Sequence, residues 1–307
     1  MKISVITVNY NSSEFTIKLF QSLQKYTHPD LEYELIVVDN ASSQDERDKL
    51  LVLEHENRVK LVFNRKNTGF SSGNMLGVQY SSAEYYFFLN NDTVLQNDIL
   101  SIFHTYAQKH KEYALLTAQL HLSDGSITSS FKKFPTLANK IFGNALVRLF
   151  KKDDFPSNKT HLTQPTDVGV VSGSCMFFDA DVFDKIGGLE TLFFLYCEEE
   201  DISKRVWDAG YKVRFLPEAK LTHYEGGSTE RNLAIEKEYY ISYYLMLDKH
   251  FGYFASRFLK FLTIFKLFRR SFRSTYYLKL FTFVLRGAPV KESLRYQQPL
   301  LKRVENA

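Results

Sequence analysis

An α/β fold with an open parallel sheet is predicted for this 307-residue chain, on three observations. Short apolar, β-branched runs alternate with helix-like segments over the first ninety residues, the pattern of parallel strands joined by right-handed crossovers. The runs end in polar residues, where an open sheet of this kind binds its ligands. Apolar residues make up 44% and charged residues 24%, a balance that supports a real core and excludes a disordered or fibrous chain.

Ile3 to Val8 is the first strand, followed by the polar turn Asn9-Tyr10-Asn11-Ser12-Ser13. Ser12 or Ser13 is placed to cap a helix whose apolar face is Phe15, Leu19, Phe20 and Leu23. Leu35 to Val38 is a continuous apolar run of the kind buried on both faces, and it ends at Asp39. Further strands are expected at Val59 to Phe63 and Tyr85 to Leu89, with a helix at Ser71 to Ser81 between them. Beyond residue 120 the pattern loosens. Ser123-Asp124-Gly125-Ser126 reads as a hairpin turn, and Phe134-Pro135-Thr136 and Phe155-Pro156 interrupt regular structure. Val168 to Phe178 is strand-like around Gly173, and Lys212 to Leu216 gives a last strand closed by Pro217.

Two cysteines, Cys175 and Cys197, are too few for a disulfide framework, so a reducing, cytoplasmic compartment is expected. Met1 to Val8 enters the first strand without a cleavage-site pattern, which argues against a signal peptide. No run of 18 uninterrupted apolar residues occurs, which argues against a simple spanning helix.

Three features carry chemistry. Glu198-Glu199-Glu200-Asp201 follows the apolar run Leu192 to Tyr196. Four adjacent acids form either a dipole-favoured first helical turn or, crowded beside apolar residues, a general base of raised pKa. Asn91-Asp92 ends the fourth strand. Its carboxylate either holds a hard divalent cation together with diphosphate oxygens or caps a helix at Val94 to His104. His223, ahead of Gly226-Gly227-Ser228, is either structural or within reach of a metal or phosphate.

Taken as an ordered set, these stretches resemble the inverting nucleotide-sugar glycosyltransferases of family 2, in their rhamnosyltransferase-like branch. The match is carried by Val5 to Asn11, Val37 to Ser42, Asn67-Thr68-Gly69-Phe70 with Asn74, and Leu89 to Thr93. Gly173 to Met176, Gly187 to Leu189, Phe194 to Ile202, Gly210-Tyr211, Pro217 and His223 complete it, over about residues 1 to 230. The resemblance implies a GT-A fold, with a nucleotide-binding half and an acceptor-binding half around one sheet. It assigns donor binding to Thr7, Asn9, Asn11, Asp39, Asn67, Gly69, Asn74 and Asn91, and the acceptor side to Gly173 and Ser174. Asp92 takes the last position of the family's metal-binding Asp-x-Asp, whose first is Asn90 here, and His223 joins it. Mn or Mg is the implied cofactor. Glu199 matches the catalytic base, supported by Glu198 and Asp201. The implied donor is a dTDP-, UDP- or GDP-sugar, and the implied acceptor is a glycan or lipid-linked glycan.

The net charge of +4 hides a segregation. Lys249 to Lys291 holds ten Lys or Arg and no acid, so the remainder carries 29 basic and 35 acidic residues, a net of −6. Phe251, Phe254, Phe258, Phe261, Phe265, Phe268 and Phe272 recur at spacings of 3 and 4, one stripe on a helix. We therefore divide the chain into a catalytic unit, 1–235, and a C-terminal helical, basic-aromatic extension, 236–307. The stripe suits the surface of an anionic membrane, and a seam in a homodimer or packing on the catalytic unit are the alternatives. Nucleic acid is disfavoured, since phosphate binding needs no phenylalanine seam.

Overall fold

In a computed structural model, which describes residues 2–134, 156, 162–224 and 232–301, the first half of the chain follows the predicted alternation. It runs β1 (Ile3–Asn9), α1 (Ser13–Tyr26), β2 (Tyr33–Asn40), α2 (Gln44–Leu50), β3 (Val59–Asn64), α3 (Gly69–Val78) and β4 (Tyr85–Leu89). Next come β5 (Thr93–Leu95), α4 (Ile99–Lys109), β6 (Tyr113–His121), β7 (Phe131–Lys132), β8 (Thr166–Asp167), β9 (Val170–Val171), β10 (Cys175–Asp179) and α5 (Ala180–Lys185). The chain then forms α6 (Glu198–Asp208), β11 (Lys212–His223), α7 (Leu233–His250), α8 (Tyr253–Ser271), α9 (Thr275–Leu285) and the short α10 (Leu294–Gln297). The expected breaks at residues 135–136 and 155 lie outside the described residues.

The main sheet has the order β3-β2-β1-β4-β10-β6-β11-β5, with β8 on β11. Its first four strands are parallel, as predicted. The second half is mixed, because β10 enters antiparallel between β4 and β6. Every residue of β2 is buried, as its apolar run requires, and of its two acids, Glu34 accepts from Ser4 Oγ at 2.6 Å and pairs with Lys60 at 2.7 Å, while Asp39 pairs with Arg47. Alternate residues feed two cores, with Ile3, Val5, Leu35, Val37 and Phe87 facing one way and Ile6, Ile36, Val38 and Phe88 the other. Helix α3 closes onto the second face through Gly77, where a Cβ would fall 2.5 Å from Ile6 Cγ2.

Two expectations fail for local reasons, and both failures shape the site. Asp92 caps no helix: Val94 lies in β5, and α4 starts at Ile99 with Asp98 accepting from the Ser101 amide. Pro217 does not close β11, because the register shift between Leu216 and Lys220 absorbs it and the strand continues to His223. Proline is tolerated at such an irregularity, where no ladder hydrogen bond is required of it. The extra residues set His223 opposite Thr93, beside Asp92.

Helices α7 to α9 build a third core of their own, including Ile241, Leu247, Leu259, Leu267, Leu280 and Phe283, which also takes in Phe193 and Cys197. Gly252, at φ +68°, separates α7 from α8, so the stripe does not form a single helix from Phe251 onward. Helix α8 turns Ser256, Leu259 and Leu267 inward and leaves the other six phenylalanines of the stripe outside. Among the described residues, these six phenylalanines therefore stay outside the packed cores.

Candidate active site

The carboxyl ends of β1 and β2 are locked by side chains before any ligand is considered. The register pairs Asn9 with Asp39, and Asn9 Nδ2 donates to Asp39 Oδ2 at 3.0 Å and to Ser42 Oγ at 3.1 Å. Arg47 Nε donates to Asp39 Oδ1 at 2.8 Å, so that carboxylate is already neutralised. Asn91 Nδ2 reaches Ser12 Oγ at 2.7 Å and Thr16 Oγ1 at 3.0 Å, which ties the end of β4 to the start of α1. Thr7 is wholly buried, and its hydroxyl has no hydrogen-bond partner among the described residues. Asn11, with φ +52°, faces solvent and accepts from the Ser43 amide. Asn74 donates to the Phe70 carbonyl inside α3.

Beyond this net lies a cavity of about 540 Å³. Of the predicted donor residues, Asn67, Gly69 and Asn91 line it, together with Asp92 and His223. Thr7, Asn9, Asn11, Asp39 and Asn74 stand outside its lining. Asn67 Oδ1 accepts from the Gly69 amide and from Asn40 Nδ2, which shapes the β3–α3 loop. That loop abuts the segment before α6: the Phe70 amide donates to the Phe194 carbonyl at 2.8 Å, and Gly69, at φ +85°, leaves room for it.

The acidic turn is presented by strained backbone. Tyr196 and Cys197 both have left-handed φ, at +73° and +67°, directly ahead of α6, a conformation that non-glycine residues hold only where their surroundings enforce it. Glu199 Oε1 meets Lys132 Nζ at 2.7 Å, and Glu200 meets it at 3.3 Å. Burial pushes the Lys132 ammonium pKa down, but these two carboxylates hold it well above its ordinary value. A Cβ on Gly173 would lie 3.8 Å from Glu199 Cβ, so the predicted acceptor-side glycine and the predicted base are neighbours. Ser174 beside it is buried, with its hydroxyl on Ser172 Oγ at 2.9 Å.

The two supporting acids differ. Glu198 is buried with Oε2 unpartnered among the described residues, and burial, reinforced by the Glu199 carboxylate, pushes its pKa well up. Asp201 is enclosed by two cations, Arg205 at 2.6 Å and Lys249 at 2.8 Å, and by the His250 imidazole at 2.7 Å. Burial alone would raise its pKa, but those partners hold it down to about 2.

A family model described as glycosyl transferase family 2 matches residues 4–187. The chain belongs to that family. The rhamnosyltransferase WbbL of Escherichia coli K12 is 26% identical over 232 residues, which covers 72% of this chain and 82% of that relative. An N-acetylglucosaminyl-diphospho-decaprenol L-rhamnosyltransferase of Mycobacterium tuberculosis is 26% identical over 138 residues, 43% of this chain and 45% of that one. Among solved structures, GalNAc-T7 with UDP, GalNAc and Mn2+ superposes with a TM-score of 0.58 at 16% identity, covering 78% of this chain and 47% of that one. The chain thus spans under half the length of the last two. The fold is GT-A, with helices added after the sheet.

For a family 2 chain, the test of a metal site falls on Asp92 and His223. Asp92 Oδ1 is buried and forms no hydrogen bond among the described residues, although His223 Nε2 stands 3.2 Å away. A hard divalent cation accepts such a sparse protein set and completes its shell with phosphate oxygens and water. Among the described residues no cluster of three His, Cys, Asp or Glu gathers around one point, so any cation here depends on these two groups and the donor. The residues fit.

Sequence reasoning missed part of the cavity wall. Tyr10, Asn40, Phe194, Leu195 and Tyr196 line it from the catalytic unit, and Asn232, Ile235, Leu294 and Gln298 from the C-terminal segment. Tyr10, Asn40 and Phe194 to Tyr196 stood inside quoted motifs. Residues beyond 230 carried no motif, and their charge pattern pointed elsewhere. Lys132 was equally silent, since a lysine pair, Lys132-Lys133, at the end of a short strand carries no motif.

Proposed function

We propose that this family 2 glycosyltransferase moves a sugar from a nucleoside diphosphate donor to a hydroxyl of a glycan or lipid-linked glycan, with inversion at the anomeric carbon. The observation that carries it is the pair of buried Asp92 and half-buried His223 lining the 540 Å³ cavity, which is also walled by the turn that leads into the acidic helix. The named relatives support rhamnose as the sugar, and a UDP- or GDP-hexose is the competing donor class.

In this reading Glu199 accepts the proton of the acceptor hydroxyl as that oxygen bonds to the anomeric carbon and the bond from that carbon to the diphosphate oxygen breaks. Asp92 and His223 hold the divalent cation, Mn or Mg, which when bound supplies positive charge to the diphosphate leaving group. Lys132 orients the Glu199 carboxylate, and the acceptor hydroxyl competes with that ammonium for it. Asn67 and Gly69 shape the donor side, and Gly173 leaves the space beside Glu199 open to the acceptor. Asn9, Asp39, Asn74 and Asn91 act as the framework that fixes these loops, with Thr7 and Asn11 at its edges. We extend the proposal to a reducing, cytoplasmic compartment, supported by the free thiols of Cys175 and Cys197.

Thermal stabilisation by dTDP, UDP, GDP and CDP, each with and without Mn2+, tests it. One nucleotide should stabilise, more strongly with metal, by about 2.7 kcal/mol at a hundredfold excess over Kd, and Asp92→Ala should abolish the metal increment. Glu199→Gln should keep donor binding and lose turnover. Stabilisation by none of the four overturns the donor site, and unchanged turnover in Glu199→Gln overturns the base.

A further inference from the structure

We infer that the outer face of α8 is a docking surface for an anionic lipid bilayer. Phe254, Phe258, Phe261, Phe265, Phe268 and Phe272 are each between 43% and 86% exposed, although phenylalanine belongs among residues that folding removes from water. At 100° per residue these six fall within about 40° of one line along the helix. Ser256, Leu259 and Leu267, the residues that α8 buries, lie on the opposite side. The exposure is therefore built in, with the aliphatic side chains facing the protein and the aromatic ones facing away.

Charge selects the occupant. The same geometry sets Arg257 on one flank of the stripe and Lys266, Arg269 and Arg273 on the other, all exposed. Helix α9, which packs Phe281 on Phe268 at 5.5 Å, adds exposed Leu278, Lys279, Leu285 and Arg286. No acidic residue occurs between Lys249 and Lys291. Two copies meeting through this face would bring like charges together with no acid from these helices to offset them. An anionic headgroup layer offers the complementary charge, with an apolar layer beneath it for the phenylalanines. No described helix is long and apolar enough to cross a membrane, so the helix lies along the surface. The face connects to the cavity through α7, whose first turn supplies Ile235 to the wall. The inference does not depend on the transfer reaction.

The test is flotation of the full-length protein with vesicles of phosphatidylglycerol and phosphatidylcholine in equal parts, and with phosphatidylcholine alone. Binding should require phosphatidylglycerol and weaken with salt. Replacing Arg257, Lys266 and Arg269 together by Gln should weaken it on the order of 100-fold. Phe258→Ser with Phe265→Ser should weaken it similarly without lowering thermal stability, because both rings are outside the core. Donor-nucleotide stabilisation, measured without vesicles, should be unchanged in both variants, which separates this surface from the cavity. Two results overturn the inference: equal binding to both vesicle types, or no vesicle binding with a dimer in sedimentation that Phe258→Ser with Phe265→Ser dissociates.

Discussion

Asp201→Asn removes one negative charge from a site that holds two cations, Arg205 and Lys249, and the His250 imidazole within 2.8 Å. Its partners hold the wild-type carboxyl down to about 2 against an ordinary 3.8, which corresponds to about 2 kcal/mol. Because the folded-state pKa is depressed, this stabilisation is complete above pH 4 to 5 and disappears as pH falls through 2. At pH 3 the same two values leave about 1 kcal/mol, so roughly 1 kcal/mol is lost between pH 7 and pH 3 through this group alone. The variant also strands Arg205, which raises the neutral-pH penalty toward about 3 kcal/mol or more. Urea titrations of both proteins at several pH values between 7 and 3 provide the assay. The gap should be widest at pH 7 and narrow steadily toward pH 3. A gap independent of pH would refute the electrostatic account and leave only lost packing.

Gly69→Ala should destabilise by roughly 2–4 kcal/mol, because its Cβ would stand 2.2 Å from the Phe194 carbonyl oxygen at φ +85°. A melting curve checks this, and the variant's nucleotide-induced shift should shrink as the loop moves off Phe194. Glu198→Gln should act in the opposite sense. Glu198 has a raised folded-state pKa, so its ionisation in the unfolded chain erodes stability as pH rises above about 4.5. The variant should melt higher than wild type at pH 7 and alike near pH 4. A lower melting temperature at pH 7 would show that the wild-type carboxylate is paired.

The strands of the first half were legible because each has one simple cause. Leu35 to Val38 is apolar throughout since both faces of β2 are covered, and Tyr85 to Leu89 likewise. The mixed half was not, because the antiparallel entry of β10 and the irregularity around Pro217 are decided by pairing partners distant in the chain. At the site, residue types indicated the chemistry but not which groups reach the cavity. Asn9 and Asp39 read as ligand contacts, and in the fold they also hydrogen-bond each other, Ser42 and Arg47, which no residue pattern announced. Asp201 read as one acid among four, and only the fold supplies Lys249 and His250 from α7, nearly fifty residues away.

That last contact bears on how the chain is divided. A boundary near residue 235 fits the composition, since charge and aromatics change character soon after it. The contacts cross it repeatedly. His250 and Lys249 hold Asp201 at the start of α6, and Ser242 Oγ donates to the Leu195 carbonyl at 2.7 Å beneath the cavity wall. Within the extension, Glu238 accepts from Ser293 Oγ and the Leu294 amide, and Leu294 and Gln298 line the cavity beside residues of the first unit. Leu301 then exchanges hydrogen bonds with Arg65 beside β3. The ties that cross fall on the acidic helix, on the turn before it, or on the loop after β3. The strained residues Tyr196 and Cys197 sit where these ties converge, and Cys197 is buried in the same core as Ile241 and Leu247. A left-handed pair of non-glycine residues persists only when neighbouring packing enforces it. The helical extension thus supplies the packing that holds the acidic turn in shape, with Cys197 in its core and the Leu195 carbonyl on Ser242.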